Sequence, residues 1–128
     1  MAIRIVRLGS ARQRGEGLRL GTVRHPPRGV KKEQLAARDF FDVWVPELAP
    51  SAVLVKRAQT SDSARDWSTF VKRYRREMAA PEKVHLLRLL AALSATTNIA
   101  VGCYCADEMR CHRSVLRTLL VEHGAVLD

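Results

Sequence analysis

Aromatic residues are scarce in this chain, with three Phe, two Trp and two Tyr in 128 positions. Its core is therefore expected to be aliphatic. No apolar run approaches the roughly 20 residues of a membrane span, so a membrane is not an expected partner. The first seven residues alternate charge with apolar side chains and lack the apolar centre of a signal peptide. Internal repeats, low-complexity tracts and linkers are also lacking, which argues for one compact domain over residues 1–128. Cysteine is limited to three positions, Cys103, Cys105 and Cys111. An odd number of closely spaced cysteines with no secretion signal excludes a disulfide framework and reads as reduced thiols in the cytoplasm.

Acidic residues are nearly missing from the first quarter. Residues 1–32 hold nine Lys or Arg against one acid, Glu16, a net of +8 out of the chain's +9. Such asymmetry points to an anionic partner: nucleic acid, a nucleotide or another phosphate-bearing small molecule. The alternative is a set of solvated surface arginines.

What is present is a pattern of strands alternating with helices. Residues 3–8 and 18–23 read as strands, separated by a Gly/Arg-rich loop. His25-Pro26-Pro27-Arg28-Gly29 must be a loop, because proline fixes φ and restricts the residue before it. A short helix is expected over 30–39, a strand over 41–45 and a break over 46–50. Ser51 is a fair N-cap for a helix to residue 58, followed by a polar connector over 59–65. Residues 66–80 place Trp67, Phe70, Val71, Tyr74 and Met78 on one helical face, with Lys72, Arg73, Arg75 and Arg76 opposite. Another helix starts at Pro81 and runs to 93. An apolar strand around 99–103 and a last helix after Arg113 complete the chain, with Gly124 as its stop. This alternation predicts an α/β fold with a mostly parallel sheet flanked by helices.

All three cysteines, one of four histidines and two arginines fall between Cys103 and Arg113. They sit where a buried strand hands over to an amphipathic helix, the usual ligand-binding end of an α/β unit. The free N–H groups at a helix start favour an anion, and Arg113 and Arg110 can clamp one. A thiol there would be acidified, so Cys111 is a candidate nucleophile or acid and His112 a candidate proton carrier. Ser10, Arg24 and Arg28, on loops after the first two strands, are candidates to complete the anion site with Arg113. Ser10 serves equally well as a turn cap, and Arg24 and Arg28 as solvated charges.

Two further readings of the loop stay open. Cys103, Cys105, Cys111 and His112 are the donor types of a tetrahedral zinc site. On regular backbone, Cys103 and Cys105 would share a face while the adjacent Cys111 and His112 would diverge. Alternatively, the cysteines pack as small hydrophobes, Cys105 above all. Gly15-x-Gly17 is too little for a dinucleotide fingerprint, because no helix follows. The sequence specifies no cofactor.

Gly17-x-Arg19, Arg24-x-x-Pro27-Arg28-Gly29 with Lys32, and Glu47-Leu48-Ala49-Pro50-Ser51 form a pattern that resembles the YeaO-like family, domain of unknown function 488. Phe70-x-x-x-Tyr74-x-x-Glu77 continues it, and Cys103-Tyr104, Asp107 and Cys111-His112-Arg113-Ser114-x-Leu116 close it. The resemblance implies an α/β fold and a shared pocket, and brings no established activity with it. The chain departs from it where such proteins carry Asp-Arg-Leu-Trp-Pro-Arg-Gly and this one has Val23-Arg24-His25-Pro26-Pro27-Arg28-Gly29. Cys105 stands where relatives more often have an acidic or other residue. The reading is a cytoplasmic α/β protein with a Cys-His-Arg anion-binding cleft, as an enzyme acting on a phosphorylated small molecule or nucleotide. The alternatives are a nucleic-acid-binding module using the basic N-terminal quarter, or a zinc-stabilised interaction protein.

Overall fold

The structure, a computed structural model, describes residues 1–60, 63–105 and 107–128. Four parallel strands form one sheet in the order β1-β4-β2-β3: β1 (Ile3–Arg7), β2 (Leu18–Gly21), β3 (Val43–Trp44) and β4 (Ile99–Cys103). The last strand in sequence is thus inserted between the first two. Val101 pairs with Ile5 on one side and Leu20 on the other. Every residue of β4 is buried, which explains its unbroken apolar run, Ile-Ala-Val-Gly-Cys. The tail closes the outer side of β1: Ile3 N–H donates to the Val126 carbonyl, and Asp128 N–H to the Ile3 carbonyl. An edge that would otherwise be bare is thereby paired.

Helices α1 (Ala52–Thr60), α2 (Ala64–Glu77), α3 (Pro81–Leu93) and α4 (His112–Glu122) supply the flanking layers. Their ends follow local chemistry. Ser51 Oγ accepts from the Leu54 N–H and Ser63 Oγ from the Asp66 N–H, as N-caps do. Pro81 opens α3, where a missing N–H costs nothing. Gly124, at φ +93°, carries the chain out of α4 in a conformation that side chains disfavour. Phe70 and Tyr74 of α2, Leu87 and Leu90 of α3, and Leu116 and Leu120 of α4 pack with Ile3, Leu20, Ile99 and Val101 in the main core. The aliphatic character expected from the composition holds.

The helix expected over 30–39 does not form. Only a 3-10 turn, Lys32–Gln34, is present, and Asp39 adopts φ +62°. The segment offers one buried apolar side chain, Leu35, too little to anchor a helix face. Its carbonyls are used elsewhere: that of Asp39 accepts from the Gly9 N–H and the Arg19 guanidinium. The strand expected over 41–45 shortens to two residues, and the break over 46–50 contains a 3-10 turn, Pro46–Leu48.

The basic first quarter is drawn into the fold only in part: Arg19 is buried and Arg4, Arg12 and Arg24 are half-buried, while Arg7, Arg14, Arg28, Lys31 and Lys32 are exposed. Arg19 is wholly buried and paired with Glu16, its Nε 2.7 Å from a carboxylate oxygen. Arg12 bridges Asp39 and Asp42, and Arg4 pairs with Asp128. Several of the charges behind the +8 therefore join loops to the sheet. No helix among the described residues is long and apolar enough to cross a membrane.

A candidate thiol centre at the carboxyl edge of the sheet

Strand β4 ends at Cys103 beside the end of β2, and α4 starts nine residues later at His112. A second, smaller apolar cluster underlies this corner, with Leu8, Val23, Leu35 and Phe41 packed around Cys103 and Cys111. Thr22 locks the two strand ends together, since its N–H and hydroxyl both donate to the Gly102 carbonyl.

Cys103 and Cys105 place their sulfurs 3.7 Å apart. Cys111 has extended backbone (φ −121°, ψ 153°) as the N-cap of α4, and His112 is the first helical residue. That change of conformation between neighbours brings both side chains into one place: Cys111 Sγ lies 3.7 Å from His112 Nδ1. The divergence expected of adjacent residues on regular backbone is thus removed by the helix start itself. The donor atoms of Cys103, Cys111 and His112 all lie within 4.8 Å of one another.

His112 is held from its far side. Nε2 lies 2.7 Å from the Thr22 carbonyl oxygen. A carbonyl only accepts, so Nε2 carries the proton and Nδ1 keeps a lone pair toward the sulfurs. Burial lowers the imidazole pKa to about 4, leaving the ring neutral. Tyr74 packs against it edge-on, with ring centroids 5.6 Å apart, and is fixed by its own hydroxyl, which donates to the Leu48 carbonyl.

The three thiols are not equivalent. Cys103 and Cys111 are buried, whereas Cys105 is exposed. Hydrogen bonds from Cys103 and Cys111, with His112 and Arg113 nearby, hold the Cys105 thiol well below its ordinary range. The same bonds, with Cys105 as partner of one and Cys103 of the other, push Cys103 and Cys111 up.

Arg113 supplies the positive counterpart. It is only 3% exposed, and one Nη donates to the Cys105 carbonyl. Its buried Nε has no hydrogen-bond partner, and no carboxylate pairs with it among the described residues. Next to this corner, Arg110 closes one side of a cleft of about 370 Å³ that is also lined by Arg57, Trp67, Phe70 and Arg73.

Cys111, His112 and Arg113 are thus brought together as the sequence suggests. The remaining candidates are engaged differently. The Arg24 guanidinium donates to the carbonyls of Pro46, Ala49 and Pro50, binding the end of β2 to the loop before α1. Ser10 is exposed and its hydroxyl donates to the Arg7 carbonyl, the turn-cap alternative. Arg28 is exposed on its loop. Cys105 carries the least weight in the sequence, because the family pattern does not require it; in the structure its sulfur reaches the cluster past the bend at the end of β4. The Cys-x-Cys spacing was the available signal.

A parallel α/β sheet with a Cys-His-Arg cluster at its carboxyl edge is the class to which this geometry assigns the protein. The sequence profile of a family described as the active DUF488-N3 subclade matches residues 3–124, and the chain belongs to that family. No curated protein and no solved structure matches the chain.

Proposed function

We propose that the cluster is the working centre of an enzyme that acts on a phosphate-bearing small molecule or nucleotide. The observation that carries this reading is Arg113: a buried guanidinium with an unpartnered Nε, beside thiols at the start of an eleven-residue helix. A buried cation without a carboxylate calls for an anion, and the helix dipole adds to the same field. Cys105, the exposed thiol, meets the substrate, and Cys103 donates a hydrogen bond to its sulfur. The nucleophile's role accordingly moves from Cys111, which lies beneath the surface, to Cys105. His112 acts as a positioning residue, because its proton is committed to Thr22. The description of the family as an active subclade supports an enzyme over a passive binding module. The internal pairing of Arg4, Arg12, Arg19 and Arg24 weakens the case for a nucleic-acid surface on the first quarter.

Thermal melting in phosphate, sulfate and adenosine monophosphate tests the anion site. The ligand that fits should raise the melting temperature through binding to the native state, and Arg113→Lys should reduce the gain. Alkylation of the metal-stripped protein, mapped by mass spectrometry, tests the thiol, and Cys105 should react first. No shift with any of the three anions, together with uniform slow alkylation, would overturn the reading.

A further inference from the structure

We propose that Cys103, Cys105, Cys111 and His112 bind a single zinc ion, which covers the exposed thiol when it is bound. The inference goes beyond the anion-binding reading and does not rest on it. Its basis is the spacing of the donors. In a tetrahedral site with Zn–S of about 2.3 Å and Zn–N of about 2.0 Å, sulfurs stand about 3.8 Å apart and a sulfur stands about 3.5 Å from a nitrogen. The separations here are 3.7 Å for Cys103 Sγ to Cys105 Sγ and 3.7 Å for Cys111 Sγ to His112 Nδ1. Cys103, Cys111 and His112 are mutually within 4.8 Å; Cys105, whose sulfur is 3.7 Å from that of Cys103, stands outside this group on the solvent side and closes onto the ion as the fourth ligand.

Three further observations fit a metal. The imidazole is neutral in hydrogen-bond pattern, with Nε2–H donated to the Thr22 carbonyl and Nδ1 turned to the sulfurs. Metal-ligating histidines are oriented in this way, by a carbonyl on the other ring nitrogen. Three sulfur donors and one imidazole suit a soft or borderline ion and disfavour magnesium or calcium. The charge also closes: three thiolates and one Zn²⁺ leave −1, and Arg113 is a buried +1 with no carboxylate partner among the described residues.

Binding forms three Zn–S bonds and one Zn–N bond, and each ligand still protonated as a thiol releases its proton to solvent. With three ligands buried and Cys105 exposed, solvent, competing thiols and substrate approach the ion from the Cys105 side. Zinc occupancy and thiol reactivity then exclude each other at Cys105.

The test uses the full chain, reduced, stripped with a chelator and titrated with Zn²⁺ or Co²⁺. One equivalent should bind, the Co²⁺ form should show the strong visible bands of tetrahedral thiolate coordination, and Zn²⁺ should protect all three cysteines from alkylation. Cys111→Ala and His112→Gln should weaken zinc by at least about a hundredfold, the upper range for loss of a ligand's mere supporting partner. Cys105→Ser, at an exposed position, keeps the test valid if the buried variants fail to fold. It should weaken zinc and leave protection of Cys103 and Cys111. The proposal is overturned by no stoichiometric uptake, by octahedral Co²⁺ spectra, or by affinity unchanged in Cys105→Ser. Failure of zinc binding with rapid alkylation of Cys105 would leave the thiol-enzyme reading standing. Zinc binding with no anion-induced shift and no selective Cys105 labelling in the stripped protein would remove that reading and keep this one.

Discussion

His112 Nε2 lies 2.7 Å from the carbonyl oxygen of Thr22, a residue 90 positions earlier in the chain. The bond joins the first residue of α4 to the end of β2 and fixes which ring nitrogen faces the thiols. Among the described residues no other hydrogen bond ties the imidazole to the end of β2. His112→Phe would keep a ring against Tyr74 but strand a buried carbonyl. It should cost about 1–3 kcal/mol, the penalty of an unmet buried acceptor. Urea unfolding measures this, and an unchanged midpoint would show that the bond contributes nothing.

The Glu16–Arg19 pair makes stability depend on acid. Burial pushes the Glu16 carboxyl up, but hydrogen bonds from Arg19 and the Gln13 N–H more than offset this and hold it below its ordinary value. Asp42 is lowered in the same sense, with burial opposed by Arg12 and the Arg19 N–H. A group with a depressed folded pKa stabilises the fold fully above its unfolded pKa, about 4, and loses that contribution as pH falls through the folded value. Melting temperature should therefore hold near neutrality and drop below about pH 4. Glu16→Gln leaves a buried guanidinium unpaired and should cost about 3–5 kcal/mol at pH 7. Its stability should then vary less with pH than that of the wild type. Parallel pH profiles for the two proteins would refute the assignment.

Leu116 and Arg117 are neighbours on α4 with opposite environments. Leu116 is fully buried, whereas Arg117 is partly exposed and paired with Glu108. Leu116→Ala should cost about 2–5 kcal/mol through lost burial and a cavity. Arg117→Ala should cost no more than about 1 kcal/mol, as surface pairs do. Chemical denaturation of both variants decides this, and equal losses would mean that the helix face is misassigned.

Gly15 and Gly17 both adopt positive φ, at +77° and +84°. A side chain at Gly15 would meet nothing within 4 Å, whereas a Cβ at Gly17 would fall 1.9 Å from the Asn98 carbonyl oxygen. Gly15→Ala should therefore cost only the conformational term, about 1–2 kcal/mol. Gly17→Ala should cost clearly more, because backbone at the start of β4 must move. Differential scanning calorimetry would show the ordering, and two equal melting temperatures would contradict it.

Much of the fold was legible where a local pattern coincided with burial. The α3 helix beginning at Pro81 and the β4 strand at Ile99–Cys103 lie where the apolar period and turn residues place them. Legibility fails over 30–39, where Leu35 alone is buried and tertiary hydrogen bonds to Gly9 and Arg19 decide the backbone. The charge pattern also misleads if taken as surface: no local signal distinguishes the wholly buried Arg19 from the exposed Arg28.

The sequence by itself determined an aliphatic α/β domain and the concentration of Cys, His and Arg between a strand and a helix, because residue type and period act locally. It also carried the family pattern over most of the chain. Only the fold settles which thiol faces solvent, where the imidazole proton sits, and that Arg113 is buried with no carboxylate partner among the described residues. Those properties depend on Thr22, Tyr74 and the bend at Cys105, which fold topology brings together. Hydrogen bonding and burial at a site are set by whatever neighbours arrive there, and local sequence does not encode their arrival.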